Sequence, residues 1–97
     1  MTLHFDELPG HARIWIYQSD RKMDDQEISR IHDDCAAFVK EWTAHGNGLM
    51  AGARILYGQF LVLGVNEQVN GASGCSIDAS VHFIRSLEEK YGIRLLD

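Results

Sequence analysis

The chain's 97 residues are 45% apolar and 24% charged, a balance that suits one soluble domain with its own core and not a disordered or fibrous chain. Its net charge of −5, with nine lysines and arginines spread without a cluster, argues against nucleic acid, which is held by cations that neutralise phosphates. No apolar run approaches the roughly 18 residues of a membrane span, and the opening MTLHFDELPGH lacks the basic and apolar blocks of a signal peptide, so no membrane partner and a cytoplasmic location are expected.

Residues 1–10, which hold the only proline (Pro9) and then Gly10, read as a leader on a single domain spanning 1–97. ARIWIYQ, residues 12–18, is rich in β-branched and aromatic types and predicts a strand. SDRKMDDQE supplies helix-start chemistry, with Asp24 or Asp25 able to cap the first amides. From there Ile28, Ile31, Cys35, Phe38, Val39 and Trp42 recur at three- and four-residue steps, which places one stripe of a long helix against a core. AHGNGLMAG breaks that pattern with three glycines, and ARILYGQFLVLGV follows as two apolar runs joined by a turn expected at Gly58 and Gln59. After VNGASGCSIDAS, the residues Ile77, Val81, Ile84, Leu87 and Tyr91 return to helical spacing. Gly92 stands where a left-handed C-terminal cap belongs, and IRLL predicts a last strand.

Strand, helix, strand, strand, helix, strand is the order of the ferredoxin-like βαββαβ fold, an α+β class with a four-stranded antiparallel sheet and two helices on one face. Its connectivity carries the end of the first helix and the start of the second to one edge. Residues 42–46 and 66–78, distant in sequence, should therefore be neighbours there.

That edge collects the chemically distinctive residues. Cys75, at the first turn of a helix, would feel the positive end of the dipole, which lowers a thiol's pKa. With His45 in reach, it would form a Cys-His pair of the kind that activates nucleophiles. The amides around Ser73, Gly74 and Ser76 suit a carboxylate or phosphate, and Asn66, Glu67 and Asn70 could orient a small polar ligand. Each residue also has a plainer reading. Cys75 fits a tight turn, His45 fits a helix end, Asp78 and Ser76 fit caps, and the asparagines fit turn chemistry. Asp78 would in addition raise the thiol's pKa and repel an anion. Cys35 lies on the core stripe, and Cys35 and Cys75 form no C-x-x-C pair, so both are expected as free thiols. No pair has metal-motif spacing, and neither a metal nor a cofactor is expected.

A second surface points to a different class of function. Alternation in the first strand can turn Ile14 and Ile16 to the helices and leave Arg13, Trp15 and Tyr17 on the other side of the sheet, with Leu56 beside them. FLVLGV is apolar on both alternating sets, which implies cover on both faces. A sheet-to-sheet homodimer is the expected cover, and the leader folded over the sheet is the competing one. Aromatics on such a sheet also suit RNA recognition, but the aromatic positions are misplaced and the net charge is acidic.

ARIWIYQSDRK, EWTAHG and ASGCSIDASVHFIRSLEEKYGI together resemble, across most of the chain, a small bacterial family whose members are often labelled "ABC transporter ATPase". The resemblance implies no established activity. The label itself conflicts with the sequence, because nucleotide-binding ATPases need a G-x-x-x-x-G-K-[ST] loop and here Gly71 and Gly74 precede Cys75 and Ser76 with no lysine.

Overall fold

A computed structural model of the chain describes residues 10, 12–45, 51–66 and 74–96. The elements are β1 (Arg13–Gln18), α1 (Asp25–His45), β2 (Ala51–Leu56), β3 (Phe60–Val65) and α2 (Gly74–Tyr91). β1 and β3 arise where β-branched and aromatic residues cluster, β2 (AGARIL) has only Ile55 of those types and is held by its pairing with β3, and each helix arises where apolar residues repeat at three and four. The start of α1 is a capping box. Asp24 accepts from the Glu27 amide at 2.8 Å, and the Glu27 carboxylate accepts from the Asp24 amide at 3.1 Å, so two amides that the helix leaves unpaired are satisfied reciprocally.

The sheet is antiparallel, in the order β1-β3-β2. Central β3 pairs Leu63 with Trp15 on one side and with Ala53 on the other. Leu61, Leu63 and Val65 face the helices and are buried with Ile31, Cys35 and Val39 of α1 and Ile84 and Leu87 of α2. Each such leucine or isoleucine contributes about 1.5–3 kcal/mol through the apolar surface it removes from water.

The fold is α+β, as expected, but three details differ. The hairpin loop holds the expected Gly58 and Gln59 but begins one residue earlier, at Tyr57. Tyr57 and Gly58 have positive φ, 57° and 64°, and the Gln59 amide closes the loop on the Leu56 carbonyl at 3.1 Å. The loop between the paired Leu56 and Phe60 is three residues long, and its two left-handed residues match the twist of the flanking strands.

The face of β1 is inverted. Trp15 and Tyr17 pack against the core, whereas Ile14 and Ile16 are 47% and 60% exposed on the other side. Arg13 shares the inner side, its guanidinium 4.8 Å from the Trp15 ring centre. The physical reason is area. Both alternating sets of β1 are apolar, so polarity sets no phase, and the aromatic pair buries more surface than the isoleucines.

Residues 93–96 do not form a strand. They alternate like one, with Ile93 and Leu95 buried, and Arg94 lies beside the end of β1, where the Asp20 amide donates to its carbonyl at 3.1 Å. Beyond that contact the Glu88 carboxylate captures the Leu95 and Leu96 amides at 2.7 and 3.0 Å. Those hydrogen bonds draw the segment toward α2 and away from the sheet. Among the described residues the sheet therefore has three strands, and the four-stranded version is not what the structure displays.

Candidate functional site

The predicted meeting of helix ends can be traced through the described residues. Trp42, one turn before the end of α1, donates its indole N–H to the Ser76 carbonyl in the first turn of α2 at 3.0 Å. Trp42 is buried with Val39, Ala51 and Val65, which brings the start of β2 and the end of β3 to the same edge. Arg13, opposite Val65 in the ladder, adds the start of β1. A row of rings fixes the spacing. Phe83 of α2 stacks on Phe38 at 4.3 Å, Phe38 stacks on Trp42 at 5.2 Å, and Trp42 meets Trp15 edge-on at 6.4 Å. Offset and edge contacts of this kind each add about 0.5–1.5 kcal/mol beyond area.

Of the expected ligand groups, Ser76 is buried with its carbonyl engaged by Trp42, and Asp78 is exposed on α2. Asn66 follows β3 at the same edge and is half-buried. Gly74 is the first residue of α2. Glu67, Asn70 and Ser73 lie outside the described residues, as do the side chains of His45 and Cys75. Cys35 is a buried free thiol, and burial first, with the neighbouring Asp34 charge second, pushes it up to about 12. It is a packing residue and not a nucleophile at neutral pH. Among the described residues no group of His, Cys, Asp and Glu is placed to hold a metal ion, and no helix is long and apolar enough to cross a membrane.

A polar pair sits deeper between sheet and helix. The Tyr17 hydroxyl is hydrogen-bonded to the Ser80 side chain, and burial, only partly offset by that bond, raises its pKa. Ser80 donates to the Ile77 carbonyl at 2.6 Å. At the far end of the helix pair, Tyr91 and Lys90 both donate to Asp34, at 2.6 and 3.0 Å, and clasp α2 to α1. Burial works to raise the Asp34 carboxyl, but those donors outweigh it and hold the group below its usual range. These contacts fix helix placement, and the side chains of Asp34, Lys90 and Tyr91, engaged with one another, line a cleft of about 290 Å³ with Arg30 and Asp33.

The groove of about 500 Å³ between α2 and the C-terminal segment is lined by Arg85, Arg94, Glu88 and Glu89, so its charges oppose one another. A second, of about 450 Å³, runs between α1 and β2 past Asp25, Ser29, His32 and Arg54.

The expected interface residues divide between the two sides of the sheet. Arg13, Trp15 and Tyr17 lie on the helix side, with Trp15 and Tyr17 packed on the core, and Leu56 stays on the other side, opposite Phe60 in register. The outer side carries Ile14, Ile16, Leu56, Phe60 and Val62, and no described helix packs on it. Exposure on it is uneven. Val62 at the centre is 3% exposed, whereas Ile16, its partner in β1, is 60% exposed. Sequence alternation missed Ile14 and Ile16 because they and their neighbours are equally apolar. The signal present in the sequence was the run of five uncharged residues, Ile14 to Gln18.

Comparison with models of known protein families, with curated proteins and with solved structures finds no match.

Proposed function

We propose that the domain is a non-enzymatic homodimeric interaction module whose contact surface is the outer side of β1. The observation that carries this reading is the pair Ile14 and Ile16, large aliphatic residues 47% and 60% exposed side by side on a sheet. Isolated exposed aliphatics are ordinary. Two on alternate positions of one edge strand, beside the already buried Val62, form a patch that association would bury. A second copy is the natural partner because a two-fold contact is self-complementary. Two chains of charge −5 can also meet there without opposing carboxylates, since residues 14–18 carry no charge. A ferredoxin-like plan supports the same surface, because in it β1 has a strand on each side.

Sedimentation of wild type beside Ile16→Glu tests the reading. The expected outcome is a wild-type dimer at micromolar concentration and a folded Ile16→Glu monomer. A wild-type monomer would overturn it.

A second reading is favoured by the Trp42–Ser76 hydrogen bond, which sets the end of α1 beside the start of α2. Cys75 and His45 belong to those two helix ends, and a polar small-molecule or thiol site between them is a proposal of a different class. In it Cys75 is the thiol, His45 its base, and Asn66, Glu67, Asn70, Ser73, Gly74, Ser76 and Asp78 the ligand contacts. Alkylation of Cys75 against pH separates the two. An apparent pKa near neutrality supports the thiol site, and one at or above about 8.5 removes it.

A further inference from the structure

The hydrogen-bond parity of β1 says which backbone groups point away from the sheet. The Ser19 amide donates to the Gln59 carbonyl at 2.7 Å, one step beyond the Gln18–Phe60 pair. In an antiparallel ladder bonded residues alternate. Tyr17, Trp15 and Arg13 therefore bond to β3, and Ile14, Ile16 and Gln18 aim N–H and C=O at the free edge. Asp20 obeys the same parity, because its amide points outward to Arg94.

The chain's own C-terminal segment does not continue along that edge. After Arg94 faces Asp20, the next outward rung would join the Leu96 amide to the Gln18 carbonyl. Instead Leu96 donates to Glu88 at 3.0 Å, together with Leu95 at 2.7 Å. Among the described residues, nothing pairs with β1 from Ile14 to Gln18 on this side.

We infer that this edge receives β1 of a second copy, antiparallel about a two-fold axis, so that two three-stranded sheets become one of six strands. The inference rests on the homodimer reading and specifies its geometry. Three observations select a second copy. Exposure peaks on the edge strand and not at the sheet centre, and edge pairing sets the Ile14 and Ile16 side chains of the two copies beside one another. The strand lacks the lysines, prolines and acids with which solvent-facing edges discourage pairing. Antiparallel apposition about Ile16 also opposes only uncharged outward residues, Ile16 with its counterpart and Ile14 with Gln18.

The test is amide exchange of the full chain by NMR across protein concentration, beside Ile16→Pro and Ile16→Lys. Proline at 16 removes an outward N–H while leaving the β1–β3 bonds intact, and lysine at 16 keeps the backbone but charges the seam. Expected are protection of the Ile14, Ile16 and Gln18 amides that rises with dimer fraction, and a dimer weakened about 10- to 100-fold in Ile16→Pro. Circular dichroism shows whether each variant is folded, and Ile16→Lys replaces Ile16→Pro if the latter is not. A wild-type monomer sinks this inference and the homodimer reading together. A dimer whose three outward amides exchange as fast as in the monomer sinks the edge geometry alone and points to face-to-face packing. Protection already complete in a monomer assigns the edge to another segment of the same chain and overturns the proposal.

Discussion

Glu27 carries two loads with one carboxylate. It caps the Asp24 amide and takes a bidentate pair from Arg21 at 2.8 and 2.6 Å, while Arg21 also reaches the Tyr91 carbonyl at 3.2 Å. Those donors, Arg21 first, lower the Glu27 pKa from 4.5 to about 2. A carboxylate depressed in the folded state contributes stability above its unfolded value, and that contribution fades as pH falls from about 4.5 toward 2. Glu27→Gln is therefore expected to be less stable than wild type at neutral pH and to converge with it near pH 2. Urea midpoints measured between pH 2 and 7 check this, and parallel curves would mean that the capping box and ion pair carry no linked stability. The box was legible in the sequence as Asp24 three residues before Glu27. The Arg21 contact to Tyr91 was not, because it depends on the end of α2 arriving beside the start of α1.

At the scale of elements, the β2–β3 hairpin is fixed by its turn. Gly58 has φ +64°, and a Cβ added there would meet the Ile28 side chain at 3.4 Å. The Gly58 carbonyl also accepts from the Met23 amide at 2.8 Å and ties the hairpin to the segment before α1. Gly58→Ala should lower stability by about 1–2 kcal/mol, the cost of forcing an L-residue into a left-handed conformation. Thermal or denaturant unfolding would read that loss, and an unchanged midpoint would mean that the turn relaxes to another type. Element type and order were legible from periodicity, as was the α1–α2 meeting at Trp42 and Ser76, which follows from connectivity. The turn took in Tyr57 as well because Tyr-Gly is a weak cue and the matching twist of two paired strands makes the choice. The last segment misled for a similar reason. Its alternation is that of a strand, but a side chain seven residues back takes the amides that a ladder would use.

For the whole molecule, charge and shape act in opposition. A copy bearing −5 repels another, while the strip from Ile14 to Gln18 offers a contact without charge. Association driven by that strip should strengthen as salt screens the repulsion. Sedimentation equilibrium at about 20 and 300 mM salt is expected to give the tighter dimer at the higher concentration, with Debye lengths of roughly 20 and 6 Å respectively. Weakening with salt would instead make ion pairs the dominant attraction.

Taken by itself, the sequence determined the α+β class, the helix stripes and the shared edge of the helix ends, because periodicity and chain order are local or topological properties. It also determined that Cys35 belongs to the core, since Cys35 repeats in step with Ile31 and Phe38. Only the tertiary structure decided which side of β1 faces inward. Ile-Trp-Ile-Tyr is apolar in both phases, and the choice is made by Trp42, Ser80 and the rest of the helix layer, which the aromatic side chains fit and the isoleucines do not fill. Tertiary structure alone likewise decided the fate of the final segment, where Glu88 and the β1 edge compete for the same amides and the carboxylate, a charged acceptor, wins.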